Sequence, residues 1–435
     1  MDNLTIGFIG IGAGLFLLLL RIQIGVALGI VSFFGIAAIL NMRAAWGIVT
    51  AVPFNFVGDW NLTAIPMFLL MGYVASSSGL SSGLFKAMRI FLSRLPGGLA
   101  ITSVGACALL SAASGSSVAT ASAFARIAIP EMLRYKYNPA LATGVVASAG
   151  TLGSLIPPSI LMLLYGYIAE VSIARLFMAG FIPGILSALL MVAMIIVRVK
   201  INPSLAPPVE EKFSRQEKID ALLEVWPLPV LIFSILLGIF LGIFTPTEAG
   251  AVGAFLAIVI ALVRGRLSWP VLRKAIVDTL ASTAGLFMVV IGTVLLARFM
   301  ALSGVPGYIA GLMLATGSDQ FMVILMVIIL YLVLGSFLDS IGLLLLTLPI
   351  ILPVANAADI NLIYFGIILI KLLEIGLVTP PVGLNVYVIK GALGNLVSLG
   401  TVFRGVTWFI VADLIALALI IGFPAISLWL PSLMR

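Results

Sequence analysis

Histidine is absent from all 435 residues, cysteine occurs once, at Cys107, and only 9% of residues are charged. Without histidine there is no serine–histidine–aspartate triad, no imidazole general base and no histidine-ligated metal. A single cysteine forms no internal disulfide and no paired thiol redox motif, so Cys107 reads as a small apolar packing residue. Charged side chains make up about a quarter of an ordinary globular protein, whereas here 62% of residues are apolar. That composition excludes a set of soluble domains, although this length at about 150 residues per domain would suggest roughly three. The formal net charge of +7 does not point to nucleic acid, because the basic residues sit in short breaks between apolar runs and form no stripe. The first apolar run lacks the basic start and small-residue cleavage site of a removed signal peptide.

What fills the chain is long apolar sequence. Runs at 5–20, 23–40, 61–78, 172–197, 226–243, 245–263, 282–300 and 404–423 read as complete membrane crossings. Each approaches the roughly 20 residues that a hydrocarbon layer of about 30 Å demands. Two more, 139–169 and 361–392, are long and broken by Pro-Pro, for about ten passes in all. The one extended polar stretch, 200–224, carries Pro203, Pro207 and Pro208 and divides the chain nearly in half. Arg198 just before it and Lys200, Lys212, Arg215 and Lys218 within it form one basic group, and Arg264, Arg266, Arg273 and Lys274 follow two crossings later. An even number of crossings puts both groups on one side, which the positive-inside rule makes cytoplasmic.

Lys86, Arg89, Arg94, Arg134 and Lys136 join that side only if the apolar segment between Arg94 and Arg134 enters the membrane and returns. The segment from Ser117 to Pro130 supports such a re-entrant hairpin, because 13 residues reach only about 20 Å at 1.5 Å per residue. Its tip is Ser114-Gly115-Ser116-Ser117.

The two halves repeat one another. The first reads Ser114-Gly-Ser-Ser, a helix ending at Pro130, then Gly153-Ser-Leu-Ile-Pro157-Pro158; the second reads Gly335-Ser336-Phe-Leu-Asp339, a helix ending at Pro353, then Gly376-Leu-Val-Thr379-Pro380-Pro381. Ser114 precedes Pro157 by 43 residues, and Ser336 precedes Pro380 by 44. The crossing count starts the second hairpin from the opposite face, so the copies are inverted. Inverted repeats with interrupted helices at matching positions point to a transporter with its binding site near the midplane.

These residue types suit such a site. Irregular backbone survives in a membrane only where it is buried or lines a polar cavity. Each Pro-Pro removes two backbone donors and bars a regular helix, leaving carbonyls near Gly153–Pro157 and Gly376–Pro380 free to ligate a hard cation such as sodium. Helices starting after Ser117 and Pro158 point their positive ends inward, which suits an anion. Ser-Gly-Ser-Ser alone favours helix packing and Pro-Pro alone a kink or a loop; the conjunction of tip, break and inverted duplicate reverses that balance in favour of function. Asp339 sits in apolar sequence, where an ionisable group is costly and marks a cation or substrate contact in preference to a structural hydrogen bond. Lys371 and Glu374 are one turn apart and neutralise each other. Asn385 follows the second break and offers a side-chain oxygen or a packing contact. Arg126 stands near the hairpin base, and Glu170, Arg175, Asp278 and Arg298 lie near crossing ends.

Ser114-Gly-Ser-Ser-Val-Ala-Thr, Ile129-Pro-Glu-Met, Gly150-Thr-Leu-Gly-Ser-Leu-Ile-Pro-Pro-Ser, Leu334-Gly-Ser-Phe-Leu-Asp and Glu374-Ile-Gly-Leu-Val-Thr-Pro-Pro-Val-Gly-Leu-Asn together resemble the large membrane subunit of tripartite ATP-independent periplasmic (TRAP) transporters. The resemblance covers essentially the whole chain. It implies sodium-driven import of organic acid anions across a bacterial inner membrane, with substrate delivered by a periplasmic binding protein. It also implies a small four-helix membrane subunit, expected here as a separate polypeptide. The fold it implies is an all-α polytopic membrane protein of elevator type, with two re-entrant helical hairpins and two Pro-Pro broken helices in inverted repeats.

On that scheme residues 1–60 are N-terminal scaffold, 61–198 the first repeat (hairpin 98–133, broken helix 138–169), 199–225 a cytoplasmic linker and 226–280 scaffold. Residues 281–423 are then the second repeat (hairpin 320–355, broken helix 361–392) and 424–435 a tail, with both termini periplasmic. By resemblance the sodium sites fall at Ser114, Gly115, Ser116, Gly153 and Pro157, and at Ser336, Asp339, Gly376 and Thr379. Substrate contacts come from Ser117, Ser159, Asp339 or Asn385. A self-sufficient sodium/anion symporter is the nearest rival, followed by an ion channel. An intramembrane enzyme is disfavoured, because Lys371 and Lys390 have no evident link to Ser114.

Overall fold

The computed structural model describes residues 1–20, 22–79, 82–208, 213–315 and 319–434. Among these the chain is helical throughout and carries no strand. Lys212, placed in the basic polar stretch, lies outside the described residues.

The chain opens with α1 (Asn3–Leu19), α2 (Ile24–Ile39), α3 (Met42–Val57), α4 (Ala64–Ser77) and α5 (Ser82–Leu92). There follow α6 (Gly98–Ser114) and α7 (Ser117–Arg134), joined by a two-residue turn, then α8 (Pro139–Ala149) and α9 (Ile160–Ile168), separated by a 3-10 segment and the double proline. Helix α10 (Ile173–Ile201) leads to α11 (Arg215–Val225), α12 (Pro227–Phe240), α13 (Pro246–Val263), α14 (Trp269–Ser303) and α15 (Val305–Ala315). The arrangement of the first half then recurs. Helices α16 (Gln320–Gly335) and α17 (Ser340–Ala357) meet at a short turn, and α18 (Leu362–Gly376) and α19 (Leu384–Leu393) flank the second double proline. The chain ends with α20 (Leu399–Gly422) and α21 (Ala425–Ser432).

Five helices among the described residues, α10, α13, α14, α17 and α20, are individually long and apolar enough to cross a membrane, and the bent pair α11–α12 makes a sixth. The other expected crossings are assembled from shorter apolar helices: α1 and α2 have 17 and 16 residues, and α4 has 14. Helix α14 starts at Trp269, well before the expected 282, and runs for 35 residues, about 52 Å at 1.5 Å per residue. The polar stretch is partly helical too. Ser214 caps α11, accepting from the Glu217 amide while the Glu217 carboxylate accepts from the Ser214 amide.

Lipid tails are as apolar as leucine, so helix contacts here depend on close packing and hydrogen bonds rather than on exclusion of water. Helix α20 lies on α8 where Gly405 meets Gly144, so closely that a Cβ on Gly405 would stand 2.0 Å from the Ala140 carbonyl oxygen. Around the two interruptions the segments 141–155 and 364–378 are buried continuously. Helix α2 packs along α14, and α4 packs on α13 and α14, forming a wall that meets α6, α9 and α17.

Candidate functional site

Each turn between paired helices is set by local chemistry. Helix α6 stops because Gly115 takes φ +61, a left-handed conformation open to glycine at little cost. Ser116 then caps α7 by accepting from the Ala119 amide at 3.3 Å, and the Ser114 hydroxyl bonds Thr120 at 3.1 Å. In the second half Asp339 caps α17, accepting from the Gly342 amide at 2.9 Å. The interrupted helices start alike: Asn138 caps α8 and Asn361 caps α18, each accepting from backbone amides two and three residues on.

Each turn docks on the interruption of its own half. Ser117 shares a 2.8 Å hydrogen bond with Ser154, and Gly153 packs so closely on Ser111 that a Cβ would lie 2.7 Å from the serine Cβ. Gly115 faces the Pro158 carbonyl and Ile160. Ser114, Gly115, Ser116, Gly153 and Pro157 are thereby gathered at one corner. At the other corner the Val382 amide donates to the Ser336 carbonyl at 3.2 Å, and Gly376 rests against the backbone of Gly335. The Thr379 hydroxyl donates to the Ile375 carbonyl at 2.6 Å and the Ser336 hydroxyl to that of Val333 at 2.8 Å. A hydroxyl that donates its hydrogen keeps its lone pairs, so both oxygens retain the capacity to ligate a cation.

The two turns meet at one cavity of about 610 Å³. Ser116 and Ile160 reach it from the first half, Phe337 and Asp339 from the second, and the opposing wall supplies Gln23 from the start of α2, Tyr73 from α4 and Ser282 from α14. Tyr73 and Ser282 share a 2.6 Å hydrogen bond across that wall. No lysine or arginine lines the cavity among the described residues. An anion there would be met instead by the positive N-terminal ends of α7 and α17, whose cap residues Ser116 and Asp339 form part of the lining. A second cavity of about 680 Å³, with Asp59, Glu170 and Arg298 on its wall, touches none of the candidate residues.

The remaining candidates sit elsewhere. Ser117 is buried on Ser154, and Ser159 is 1% exposed and caps α9 through the Met162 amide. Asn385 is fully buried, and its Nδ2 donates to the Ala147 carbonyl of the first half at 3.1 Å. Arg126 is exposed on α7. Lys371 does bond Glu374, at 3.0 Å, and it also bonds Asp413 on α20 at 2.6 Å. The sequence signal that could have found Asp413 is an acid within the apolar run 404–423. Gln23, Tyr73 and Ser282 carried no such signal, being ordinary polar residues near the ends of apolar runs.

Comparisons with known proteins agree with this architecture. The family model described as "Tripartite ATP-independent periplasmic transporter, DctM component" matches residues 11–426. The chain is 35% identical over 374 residues to the C4-dicarboxylate TRAP transporter large permease protein DctM of Pseudomonas aeruginosa, covering 86% of each chain. It is 32% identical to the sialic acid TRAP transporter large permease protein SiaM of Vibrio cholerae, covering 87% of each. The isethionate TRAP transporter permease protein DctMQ of Oleidesulfovibrio alaskensis is 32% identical, with 87% of this chain matched to 59% of that one. Among solved structures the YdaH transporter of Alcanivorax borkumensis superimposes with a TM-score of 0.62 at 16% identity, over 88% of this chain and 90% of that one, a likeness of fold. Its relatives are named transporter permease proteins, and the chain belongs to the DctM component family of the tripartite ATP-independent periplasmic transporters.

Proposed function

We propose that this chain is the large permease subunit of a sodium-coupled importer of organic acid anions in a bacterial inner membrane. The observation that carries the reading is the convergence of Ser116 and Asp339, the caps of two helices more than two hundred residues apart, on one cavity with no cationic side chain among the described residues. An anion in such a cavity needs positive charge, and the helix N-termini together with sodium are its natural sources. The donor set fits sodium, a hard ion that takes oxygen ligands. Ser114 and Ser116 with the backbone of 153–157 form the first candidate site, and Ser336, Asp339 and Thr379 with the backbone at Gly376 form the second. Sodium here is cargo, moving with the substrate.

The paired helices α6–α7 and α16–α17 are read as re-entrant hairpins of inverted repeats. With α8–α9 and α18–α19 they form a mobile unit that slides against the wall of α2, α4 and α14 in an elevator cycle. The names of the relatives span a dicarboxylate, a sugar acid and a sulfonate, and all of these are anions. These names support a substrate of the same class for this chain, dicarboxylate or sialic and sugar acid first. Its partners are then a small four-helix membrane subunit and a periplasmic binding protein, and both termini face the periplasm.

The test is reconstitution in liposomes with an inward sodium gradient, the small subunit and the binding protein. Uptake of labelled dicarboxylate or sialic acid that requires both sodium and the binding protein is expected. Uptake by the chain alone would move the reading to a self-sufficient symporter, and sodium-independent uptake would refute the coupling.

A further inference from the structure

The face shared by α10 and α20 carries two arginines that no acid answers. Arg198, half-buried three residues before the end of α10, holds its guanidinium carbon 5.1 Å from the centre of the Trp408 ring on α20. Arg404 is exposed one turn before Trp408, about 6 Å along the helix axis. We propose that Arg198, Arg404 and Trp408 bind the phosphodiester head group of an anionic membrane lipid.

An arginine near the end of a crossing ordinarily extends its head group to water. Arg198 instead turns onto an indole nine residues inside α20. The ring face attracts the charge but leaves the five N–H donors seeking oxygen. Among the described residues neither guanidinium enters an ion pair or a hydrogen bond. The chain itself supplies the contrast: Arg89 and Arg134 both stack on Tyr135, and both have the Glu131 carboxylate within ion-pair reach.

No such acid is at hand for Arg198 and Arg404. Helix α10 carries neither Asp nor Glu, and nor do α6, α8, α9, α12, α19 and α21, which pack on α10 or α20. Glu374 of α18 and Asp413 of α20 are buried on Lys371. The counter-charge therefore comes from outside the chain, and a phosphate diester supplies a fixed negative charge with oxygens that match the arginine fork.

The surroundings select a lipid over a soluble phosphate. Both α10 and α20 are long and apolar enough to cross a membrane, and the proposal rests on that alone, whatever ion or acid is transported. Exposed apolar side chains lead away from the arginines along each helix, Val197 and Leu189 on α10 and Val411 and Ile415 on α20. Two apolar tracks leaving one cationic corner match two acyl chains leaving one head group. Tryptophan with basic residues between crossing helices is also the chemistry of the head-group layer.

Native mass spectrometry of the purified, delipidated full-length chain tests this, comparing dioleoyl phosphatidylglycerol with dioleoyl phosphatidylcholine, which has the same chains and a zwitterionic head group. Stronger binding of phosphatidylglycerol is expected, undiminished by excess inorganic phosphate. Arg198→Gln should raise its half-saturating concentration about tenfold, the equivalent of one charge-assisted hydrogen bond. Arg198→Lys should recover part of the loss, since lysine keeps the charge without the planar fork. Lys274→Gln, which removes an exposed base near the start of α14, should change nothing. A photoactivatable phosphatidylglycerol should attach to the parent protein within 185–201 and 404–415, an arm that needs no variant to fold. Equal binding of the two lipids would assign the guanidinium to a carboxylate of a partner protein and overturn the proposal. Displacement by inorganic phosphate, an equal loss in Lys274→Gln, unchanged binding by an Arg198→Gln protein that elutes as the parent does, or adducts absent from both segments would each overturn it as well.

Discussion

Gly376→Ala perturbs the second candidate cation site at its tightest backbone contact. A Cβ at position 376 would lie 2.9 Å from three backbone atoms of Gly335, whereas ordinary contact begins at 3.4 Å, so the ends of α18 and α16 must part by about 0.5 Å. Backbone on both sides cannot swing aside as a side-chain terminus would. Overpacking of this kind costs about 1–3 kcal/mol. Ser336 and Thr379 ride on the two separating ends, and cation binding requires them in register. If sodium binding has to restore the contact, that cost appears as about a 5- to 140-fold rise in the half-saturating sodium concentration, at about 1.4 kcal/mol per tenfold. The assay is sodium-dependent uptake in liposomes, with a thermal unfolding scan of the same preparation. Gly12→Ala on α1 is the control, because a Cβ there meets nothing within 4 Å and alanine favours a helix by about 1 kcal/mol over glycine. A destabilised Gly376→Ala protein with unchanged sodium dependence would refute the placement of a cation site at this corner.

Asp339→Asn keeps the α17 cap, since asparagine caps as well as aspartate, and should preserve thermal stability while abolishing sodium-dependent uptake; full uptake would reduce Asp339 to its capping role. Gly115→Ala should cost about 1–2 kcal/mol through its left-handed backbone alone, because the nearest neighbours of a Cβ are at an ordinary 3.4 Å; an unchanged unfolding midpoint would contradict the turn geometry. Tyr73→Phe removes one hydrogen bond to Ser282, worth about 0.5–1.5 kcal/mol, and should raise the substrate concentration for half-maximal uptake without altering the sodium requirement. Ser116→Cys should react with a membrane-impermeant thiol reagent while Ser117→Cys and the native Cys107, both buried, stay silent; equal labelling at 116 and 117 would contradict the cavity wall.

The parts of the site legible in the sequence are those made by neighbours in the chain. Ser114-Gly115-Ser116 announces a turn because glycine between small hydroxyl residues both ends one helix and caps the next. Asp339 announces itself by its charge in apolar surroundings. The double prolines forbid continuous helix wherever they stand, and both interruptions occur there. What stayed hidden depends on partners that only tertiary folding supplies. Tyr73 and Ser282 are 209 positions apart, and neither is unusual in its own segment. Lys371 and Glu374 looked self-sufficient because a one-turn spacing pairs them, and nothing in their local sequence discloses the second acid on α20. Ser159 and Asn385 carry the right functional groups near the breaks, yet a hydroxyl one residue before a helix is drawn to cap it, and the Asn385 amide is turned onto the Ala147 carbonyl.

That last bond has a consequence for engineering. Asn385 from the second half holds a carbonyl of the first, and Tyr165 from the first half holds the Leu362 carbonyl of the second. In each case a side chain supplies the donor and the main chain the acceptor. Any amino acid offers a carbonyl, so the receiving helix of each clasp is free to vary in sequence at that position. Chimeras that exchange one half between relatives should therefore assemble so long as the donated half retains its asparagine or tyrosine, which would let the two halves of such proteins diverge at different rates.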